Sequence, residues 1–300
     1  MPNASPLVSF VIATYNGASF LDGTLGSAAA QTHRHLEILV VDDGSTDESA
    51  AIAGAWAARD GRIRVIRIPH GGPQGARNVG VAAARGDFVA HLDHDDLASP
   101  VRVATQLAWM EARGVDVCGS CTRVFGDHVY LGWVPERHDD ILRESVFRCA
   151  FVHPTTLLPA AIAKAHPFNE RHRCGGDELP IRLALEHGYR LGNVPQPLIK
   201  YRHSSGQRTR VEARPIGAHR REIQRRVFRH LFPDATPGDE SAIMRVVRRE
   251  SVGASERERA AVWMDRLSAT DDPMMRRLMA ERWSAAIAIA GEGEGRTTGA

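Results

Sequence analysis

The chain has 300 residues, of which 43% are hydrophobic and 25% charged, and its formal net charge is +2. This composition is typical of a globular protein with one sizeable domain and an appendage, and the nearly balanced charge indicates no nucleic-acid partner. No stretch reaches the roughly 18 apolar residues that a membrane span needs, and the first residues lack the pattern of a signal peptide, so a cytoplasmic location is expected.

The first half of the chain alternates short apolar runs with stretches of helical spacing. Such alternation predicts βαβ units and an α/β fold with a mostly parallel sheet flanked by helices. Ser45 and Glu48 have the spacing of a capping box and predict the start of the second helix there. The predicted strands are residues 7–13, 36–41, 63–68 and 87–90, and the other predicted helices are residues 19–31 and 72–84.

The second half is mixed and ends in amphipathic, Arg-rich helices. Strands are predicted within residues 115–134 and at 155–158, 189–194 and 197–201, with a helix at 179–186. The predicted division is one domain over residues 1–206, a C-terminal helical extension over 207–290 and a disordered Gly/Thr/Glu tail over 291–300. Within the domain, residues 7–113 and residues 114–206 are expected to form two halves.

Three carboxylates follow the fourth predicted strand directly. Clustered acidic side chains repel one another unless a cation lies among them, and Asp93 and Asp95 are spaced to turn their oxygens onto one ion. Mg²⁺ typically binds one or two carboxylates and completes its shell with water and substrate phosphates. The loop therefore predicts a metal-bound diphosphate, and the alternative is a solvated acidic loop that caps the next helix.

Polar residues also follow the other predicted strands. Tyr15 comes after the first strand, Asp43 after the second and His70 after the third. Ligands bind at the carboxyl ends of the strands in such sheets, so these side chains are expected to converge on one edge with the acidic loop.

The residues at these strand ends resemble the family 2 glycosyltransferases. Residues 8–16 look like the opening strand of that family, and residues 40–47 look like its second motif. Residues 75–80 and the Asp93-x-Asp95-Asp96 loop, a DxD motif, complete the set in the expected order, and the resemblance runs from about residue 7 to residue 204. It implies a GT-A fold, a nucleoside-diphosphate sugar donor, Mg²⁺ or Mn²⁺, and inversion at the anomeric carbon. It also implies that residues 7–113 are the nucleotide-sugar-binding half of the domain and residues 114–206 the acceptor half.

The resemblance also implies roles for individual donor-site residues. Ala13 would offer backbone groups to the base, Tyr15 would stack on it, and Asp43 would accept a hydrogen bond from a uracil N–H. Arg77 would meet the base or a phosphate through its planar guanidinium. Each position has a structural alternative, in which Asp43 braces its turn, Tyr15 is an interface aromatic and Arg77 is a solvated helix residue.

The same resemblance implies different roles for the three acidic residues of the loop. Asp95 would be the direct metal ligand, Asp93 would contact the ribose or the metal shell, and Asp96 would point elsewhere. His203, in the closing segment of the resemblance, is a further candidate metal ligand, with a surface histidine as the simpler alternative.

The catalytic base is predicted at Asp177, with Glu178 as the fallback. The family carries an acidic pair before x-x-Leu-x-x-Arg, and here an ungapped match places that pair on Gly175 and Gly176. Asp177 is one residue late, so a one-residue shift is required, and the alternative role of Asp177 is to cap the helix that follows.

Partners follow from the resemblance and from the basic tail. The acceptor would be a hydroxyl of a cell-envelope polysaccharide or a lipid-linked glycan. The Arg-rich helices suggest peripheral contact with the inner face of a membrane, a partner contact or a solvated face. Two other functions stay open: a nucleotidyltransferase that forms sugar nucleotides, and a non-catalytic protein that binds them.

Overall fold

The computed structural model describes residues 5–171, 176–204, 213–248, 250 and 252–294. The chain divides into two compact units. The first contains residues 1–137 and 151–217, and the second contains residues 138–150 and 218–300.

A nine-stranded mixed sheet forms the centre of the first unit. The strands are β1 (Val8–Thr14), β2 (Leu36–Asp42), β3 (Ile63–Arg67), β4 (Phe88–His91), β5 (Leu97–Ala98), β6 (Val117–Gly126), β7 (Tyr130–Gly132), β8 (Leu157–Pro159) and β9 (Leu191–His203). Their order is β3-β2-β1-β4-β8-β6-β9-β5, with β7 paired to the outer part of β6.

The pairing of the strands changes halfway across the sheet. The pairs β2–β3, β1–β2 and β1–β4 are parallel, so these four strands all end at the same edge. Beyond them β8 runs antiparallel to β4 and β6, whereas β9 is parallel to β6. The predicted parallel arrangement is therefore confirmed for the first four strands, and the second half of the sheet is mixed.

Helices pack around this sheet because its central strands are buried and mostly apolar. Every residue of β2 is buried, and β1 is buried at all positions but one. Phe10, Ile12, Ile38 and Val40 lie in one core cluster with Leu21 and Leu25 of the first helix. The helices are α1 (Ala18–Ala29), α2 (Ser49–Arg59), α3 (Pro73–Ala83), α4 (Arg102–Arg113), α6 (Ala160–Ala165) and α7 (Glu178–His187), and a short 3-10 helix spans His153–Thr155.

The second unit is helical and has its own apolar core. The side chains of Phe228 and Trp263 meet edge to face, with 5.7 Å between ring centroids, and Met275 is fully buried. Its helices are α5 (His138–Ser145), α8 (Ala213–Leu231), α9 (Pro237–Val247), α10 (Ala254–Ser268) and α11 (Pro273–Glu294). Within the part of the chain that the structure describes, no helix is both long enough and apolar enough to cross a bilayer.

Two local predictions were wrong. The predicted strands at 189–194 and 197–201 form one strand, β9. Its two halves both pair with β6, and the pairing continues past the interruption with a shift in register. The capping box does not form: α2 begins at Ser49, and the Ser45 hydroxyl instead accepts the backbone N–H of Asn16. The domain boundary at 206/207 stays a prediction. Of the predicted disordered tail, residues 291–294 lie in α11 and 295–300 lie outside the described residues.

Candidate active site

The polar residues at the ends of the first two strands lie at one edge of the sheet. Thr14 lies opposite Asp42 in the parallel register, and the backbone N–H of Asp43 donates to the carbonyl of Thr14 at 2.8 Å. Asp43 is buried, whereas the ring of Tyr15 is 42% exposed. Ala13 precedes them on β1, opposite Val41. The predicted base-binding residues Ala13, Tyr15 and Asp43 are therefore neighbours in space.

Asp43 fixes the loop that follows β3. One carboxylate oxygen accepts the backbone N–H of Gly71 at 2.8 Å, and the other accepts that of Gly72 at 2.9 Å. Gly72 has a φ of 98°, a conformation that favours glycine, immediately before Pro73 opens α3. Asp43 thus braces a loop, but it braces the 71–72 loop rather than its own turn.

The His70 ring contacts both the Tyr15 ring and the Asp43 carboxylate. Its ring stacks on Tyr15 with centroids 4.0 Å apart and planes 25° apart. Its Nδ1 lies 3.0 Å from a carboxylate oxygen of Asp43 and 3.1 Å from the Asp43 carbonyl oxygen. Both neighbours are acceptors, so Nδ1 carries the ring proton in this arrangement.

Arg77 on α3 points to the acidic loop. Its guanidinium donates to a carboxylate oxygen of Asp93 at 2.8 Å and to the side-chain oxygen of Gln74 at 3.0 Å. The guanidinium carbon lies 5.8 Å from the centre of the Phe168 ring. His153 Nε2 is 3.8 Å from the same Asp93 oxygen. Arg77 is therefore held beside the acidic loop, and the alternative of a solvated helix residue does not describe it.

The acidic loop itself is tied to the end of β9 by Arg202. The Arg202 backbone N–H donates to Asp96 Oδ1 at 2.7 Å, and its Nε–H donates to the Asp95 carbonyl at 2.9 Å. The guanidinium is stacked between two rings, 4.3 Å from the centre of Phe20 and 4.5 Å from that of Phe125. The two rings hold the Arg202 side chain in place, and its hydrogen bond to the Asp95 carbonyl in turn holds the backbone of the acidic loop.

Asp96 differs from the other two acids of the loop. It is fully buried, whereas the Asp93 side chain is 30% exposed and Asp95 is partly exposed. Burial raises the pKa of Asp96 well above its ordinary value, and the nearby Asp95 and Asp93 carboxylates raise it further. As expected from the sequence, Asp96 is turned away from its neighbours and anchors the loop in the protein.

The donor set fits a hard divalent cation. Asp93 and Asp95 supply carboxylate oxygens, which Mg²⁺ and Mn²⁺ prefer. Among the described residues there is no group of three or more His, Cys, Asp or Glu that could enclose an ion. Two carboxylates with an incomplete shell suit a cation whose remaining ligands are water and a diphosphate.

His203 lies at the end of β9, next to Arg202. Its ring is 4.7 Å from that of His128, and its Nδ1 is buried with no hydrogen-bond partner among the residues that the structure describes. An imidazole nitrogen without a hydrogen-bond partner can bind a metal ion through its lone pair. His203 lies next to Arg202, which anchors the acidic loop, so it stays a candidate metal ligand.

Asp177 occupies the N-cap position of α7, but its side chain does not cap that helix. Its Oδ1 accepts the backbone N–H of His153 at 2.6 Å, and Glu178 is the first residue of the helix. A Cβ on Gly176 would lie 2.5 Å from Cγ of His153, so the chain passes too close for any side chain there. Gly175 lies outside the described residues.

A buried polar layer lies behind the site. His91 and His153 are buried, and burial holds the pKa of each ring well below its ordinary value; the positive charge of Arg77 lowers both pKa values further. Arg102 is fully buried and donates to the carbonyl of His91 at 2.9 Å; burial lowers its pKa to about 9. The neutral form of both histidine rings is therefore favoured in this layer.

Two residues of this site had no role assigned from the sequence. His70 was noted at its strand end, but nothing in the sequence indicates that its ring contacts the Asp43 carboxylate. Arg202 directly precedes His203 in the closing segment of the resemblance, but nothing in the sequence indicates that Phe20 and Phe125 flank it.

Comparison with known proteins gives the same family as the motifs. The family model described as "Glycosyl transferase family 2" matches residues 9–174. Glycosyltransferase GlyG of Streptococcus pneumoniae is 33% identical over 230 residues, which are 69% of this chain and 74% of that protein. Several other curated relatives are matched over about a third of their own length.

Solved glycosyltransferases share the fold. Staphylococcus aureus TarS, residues 1–349 in complex with UDP-GlcNAc, has a TM-score of 0.60 at 18% identity, with 94% of this chain and 89% of that chain covered. The mannosyltransferase PcManGT of Pyrobaculum calidifontis, in complex with GDP-Man and Mn²⁺, has a TM-score of 0.58 at 18% identity, with 97% and 88% covered. The chain has the GT-A fold of these proteins and belongs to glycosyl transferase family 2.

Proposed function

We propose that the protein transfers a sugar from a nucleoside-diphosphate donor to a hydroxyl acceptor, with inversion at the anomeric carbon. The observation that carries the proposal is the convergence of Tyr15, Asp43, Arg77, Asp93 and Asp95 at one sheet edge in a member of this family. Stacking, hydrogen-bonding, cationic and metal-ligating groups are the set that a nucleotide sugar requires.

The hydrogen bonds of Asp43 favour a uracil base. A carboxylate has about four lone-pair sites. The backbone N–H groups of Gly71 and Gly72 donate to its two oxygens, and the His70 ring, hydrogen-bonded to the Asp43 carbonyl, lies 3.0 Å from one of them. The ring therefore closes one side of the carboxylate, and the side left open suits the single imide N–H of uracil better than the two adjacent donors of guanine. This argument disfavours GDP-linked donors; thymine has the same imide N–H as uracil, and the donor in this proposal is UDP-linked because the resemblance implies uracil at Asp43.

Asp95 and Asp93 would hold Mg²⁺ or Mn²⁺. When bound, such an ion stabilises the negative charge of the departing diphosphate. Arg77 neutralises Asp93 on the other side through its 2.8 Å contact and keeps that carboxylate oriented. His203 is the candidate for an additional ligand. The loop does not have to reorganise to receive the ion, because Arg202 already fixes its backbone.

Asp177 is the proposed general base. It would accept the proton of the acceptor hydroxyl as that oxygen attacks the anomeric carbon. The hydrogen bond from the His153 backbone orients the carboxylate, and His153 also approaches Asp93. Glu178 is the fallback. The acceptor proposed is a hydroxyl of an envelope polysaccharide or a lipid-linked glycan, as the resemblance implies.

The rival functions have distinct signatures. A nucleotidyltransferase would carry a Gly-rich basic loop after its first strand, and here Thr14-Tyr15-Asn16-Gly17 follows. A non-catalytic binding protein would bind the donor without consuming it, which the following experiment distinguishes.

The test is the hydrolysis of UDP-, GDP- and dTDP-sugars by the protein with Mn²⁺, measured together with donor binding. We expect UDP-sugars to be bound and slowly hydrolysed in preference to the others. Asp177→Asn should lower turnover about 10²- to 10⁴-fold and leave donor binding unchanged, because only the proton acceptor is removed. Glu178→Gln is the matched comparison and should retain most of the turnover.

Each other outcome has a definite meaning. Binding without turnover of any donor would favour the non-catalytic function. Unchanged turnover in Asp177→Asn would contradict its assignment, and a loss confined to Glu178→Gln would transfer the role to that residue. A preference for GDP-sugars would contradict the hydrogen-bond argument at Asp43.

A further inference from the structure

The hairpin of β6 and β7 exposes three consecutive apolar side chains, one at the end of its turn and two at the start of β7. Val129 is 78% exposed, Tyr130 54% and Leu131 58%, and we call these three residues the apolar tip. The other large exposed apolar side chains of the described residues, Tyr15 of the site apart, are scattered: Val65, Val101, Val262 and Met274. Single exposed apolar residues are ordinary, whereas contiguous ones mark an interaction surface.

The apolar tip presents apolar groups on both faces of its hairpin. Tyr130 pairs with Val124 in the β6–β7 ladder, and Leu131 pairs with Arg123. Consecutive residues of a strand point to opposite faces, so Tyr130 and Leu131 are on different sides. A protein partner packed on one face would leave the other side exposed. The interfacial region of a bilayer surrounds an inserted tip, and it is also where tyrosine is enriched.

Two cations lie in one row with the tip. The register places Leu131 opposite Arg123 and Arg123 opposite Lys200, so the three side chains share a face across β7, β6 and β9. Both cations are exposed, and neither has an ion pair with a described carboxylate. Asp127 is the only acidic residue between positions 123 and 132. This pattern is complementary to an anionic surface.

The hairpin lies beside the candidate active site. The backbone N–H of Asp127 donates to the carbonyl of His203 at 2.9 Å, and the rings of His128 and His203 are 4.7 Å apart. His203 follows Arg202, which anchors the acidic loop. A surface bound by the tip would therefore lie next to this end of the site.

We propose that the apolar tip inserts into the interface of an anionic lipid bilayer, with Arg123 and Lys200 at the lipid phosphates. The membrane contact is thus assigned to the sheet-bearing unit, and it does not depend on the identity of the donor. It differs from the contact that the Arg-rich C-terminal helices suggest, and the two can be separated by substitution.

The test is flotation of the full chain with vesicles of phosphatidylcholine, either pure or mixed with phosphatidylglycerol. The wild-type protein should float with the mixed vesicles in preference to the pure ones. V129S/Y130S/L131S should weaken binding by about tenfold or more, because it removes the inserted apolar groups. R123E/K200E should abolish the preference for anionic lipid, since each cation near such a surface contributes about fivefold in affinity.

Two variants serve as controls. Val262→Ser removes an equally exposed apolar side chain from α10, where it is 58% exposed, and should float like the wild type. R220E/R221E changes the exposed Arg residues of α8 and should also retain flotation. A second measurement uses Tyr130→Trp, whose additional fluorescence should shift to shorter wavelength when anionic vesicles are added.

Several results would overturn the proposal. They are flotation of the wild type with neither vesicle, flotation of the V129S/Y130S/L131S variant equal to the wild type, and loss of flotation in R220E/R221E alone. An unshifted fluorescence of the Tyr130→Trp variant on bound vesicles would also contradict it. A wild-type dimer by light scattering that the triple variant converts to a monomer would assign the tip to a second copy of the chain.

Discussion

The donor side and the acceptor side of the candidate site are built in different ways. On the donor side, Asp43 accepts two backbone N–H groups, and its position follows from the parallel register of β1 and β2. On the acceptor side, Asp177 lies just before a helix, and a contact with His153, 24 residues away, orients it. The proposed recognition of the nucleotide thus rests on strand ends, whereas the proposed proton transfer rests on one loop.

A substitution at Arg202 would break the link between the acidic loop and the end of β9. Arg202→Ala removes the stacked guanidinium and the Nε–H bond to the Asp95 carbonyl, so the acidic loop loses its outer support. We expect the affinity for Mn²⁺ in the presence of UDP to fall about 10- to 100-fold, as for other groups that orient metal ligands. Calorimetric titration of Mn²⁺ measures this change directly.

Two variants make the Arg202 result specific. Arg202→Lys keeps the charge but loses the planar stack, and it should give an intermediate affinity. Arg221→Ala, an exposed arginine of α8, should bind Mn²⁺ like the wild type. Equal Mn²⁺ affinity in Arg202→Ala and the wild type would show that the loop holds its shape without this residue.

A substitution at His70 tests how the donor side binds the base and prefers UDP to GDP. His70→Ala removes the ring stacked on Tyr15 and one donor to Asp43. We expect UDP to bind about fivefold more weakly, because an aromatic contact contributes roughly 1 kcal/mol. The preference for UDP over GDP should also narrow, since removal of the ring opens the side of the Asp43 carboxylate that lies 3.0 Å from it to a second donor of guanine.

The matched control for His70 is His230→Ala, an exposed histidine of α8. Competition binding of UDP and GDP to both variants and the wild type gives the two ratios. An unchanged UDP/GDP ratio in His70→Ala would contradict the hydrogen-bond count at Asp43 while leaving the stacking argument intact.

The sequence predicted the donor side better than the rest because its signals are local. Strands β1 to β4 appear as apolar runs, and their polar ends meet because parallel strands share an edge. The anchor of Asp96 by Arg202 spans 106 positions, and no spacing in the chain encodes it. The single strand β9 was missed for a related reason, since only the register with β6 shows that a shift joins its halves.

The capping box shows how tertiary contacts override a local signal. Ser45 and Glu48 have the right spacing, but Ser45 is used by the strand-end turn, where its N–H donates to Asp42 and its hydroxyl accepts from Asn16. The helix begins at Ser49 instead. A capping residue that is also used by a neighbouring strand-end turn is therefore a poor guide to the start of a helix.

The most direct test of the central claim is calorimetric binding of UDP, with and without Mn²⁺, to the wild type and to Asp95→Ala. The wild type should bind UDP more tightly with Mn²⁺, and Asp95→Ala should lose that gain, whereas Asp265→Ala, at an exposed position of α10, should keep it. If Mn²⁺ does not change the affinity for UDP, and Asp95→Ala has the same affinity as the wild type, a metal-bound nucleotide at this edge of the sheet would be contradicted.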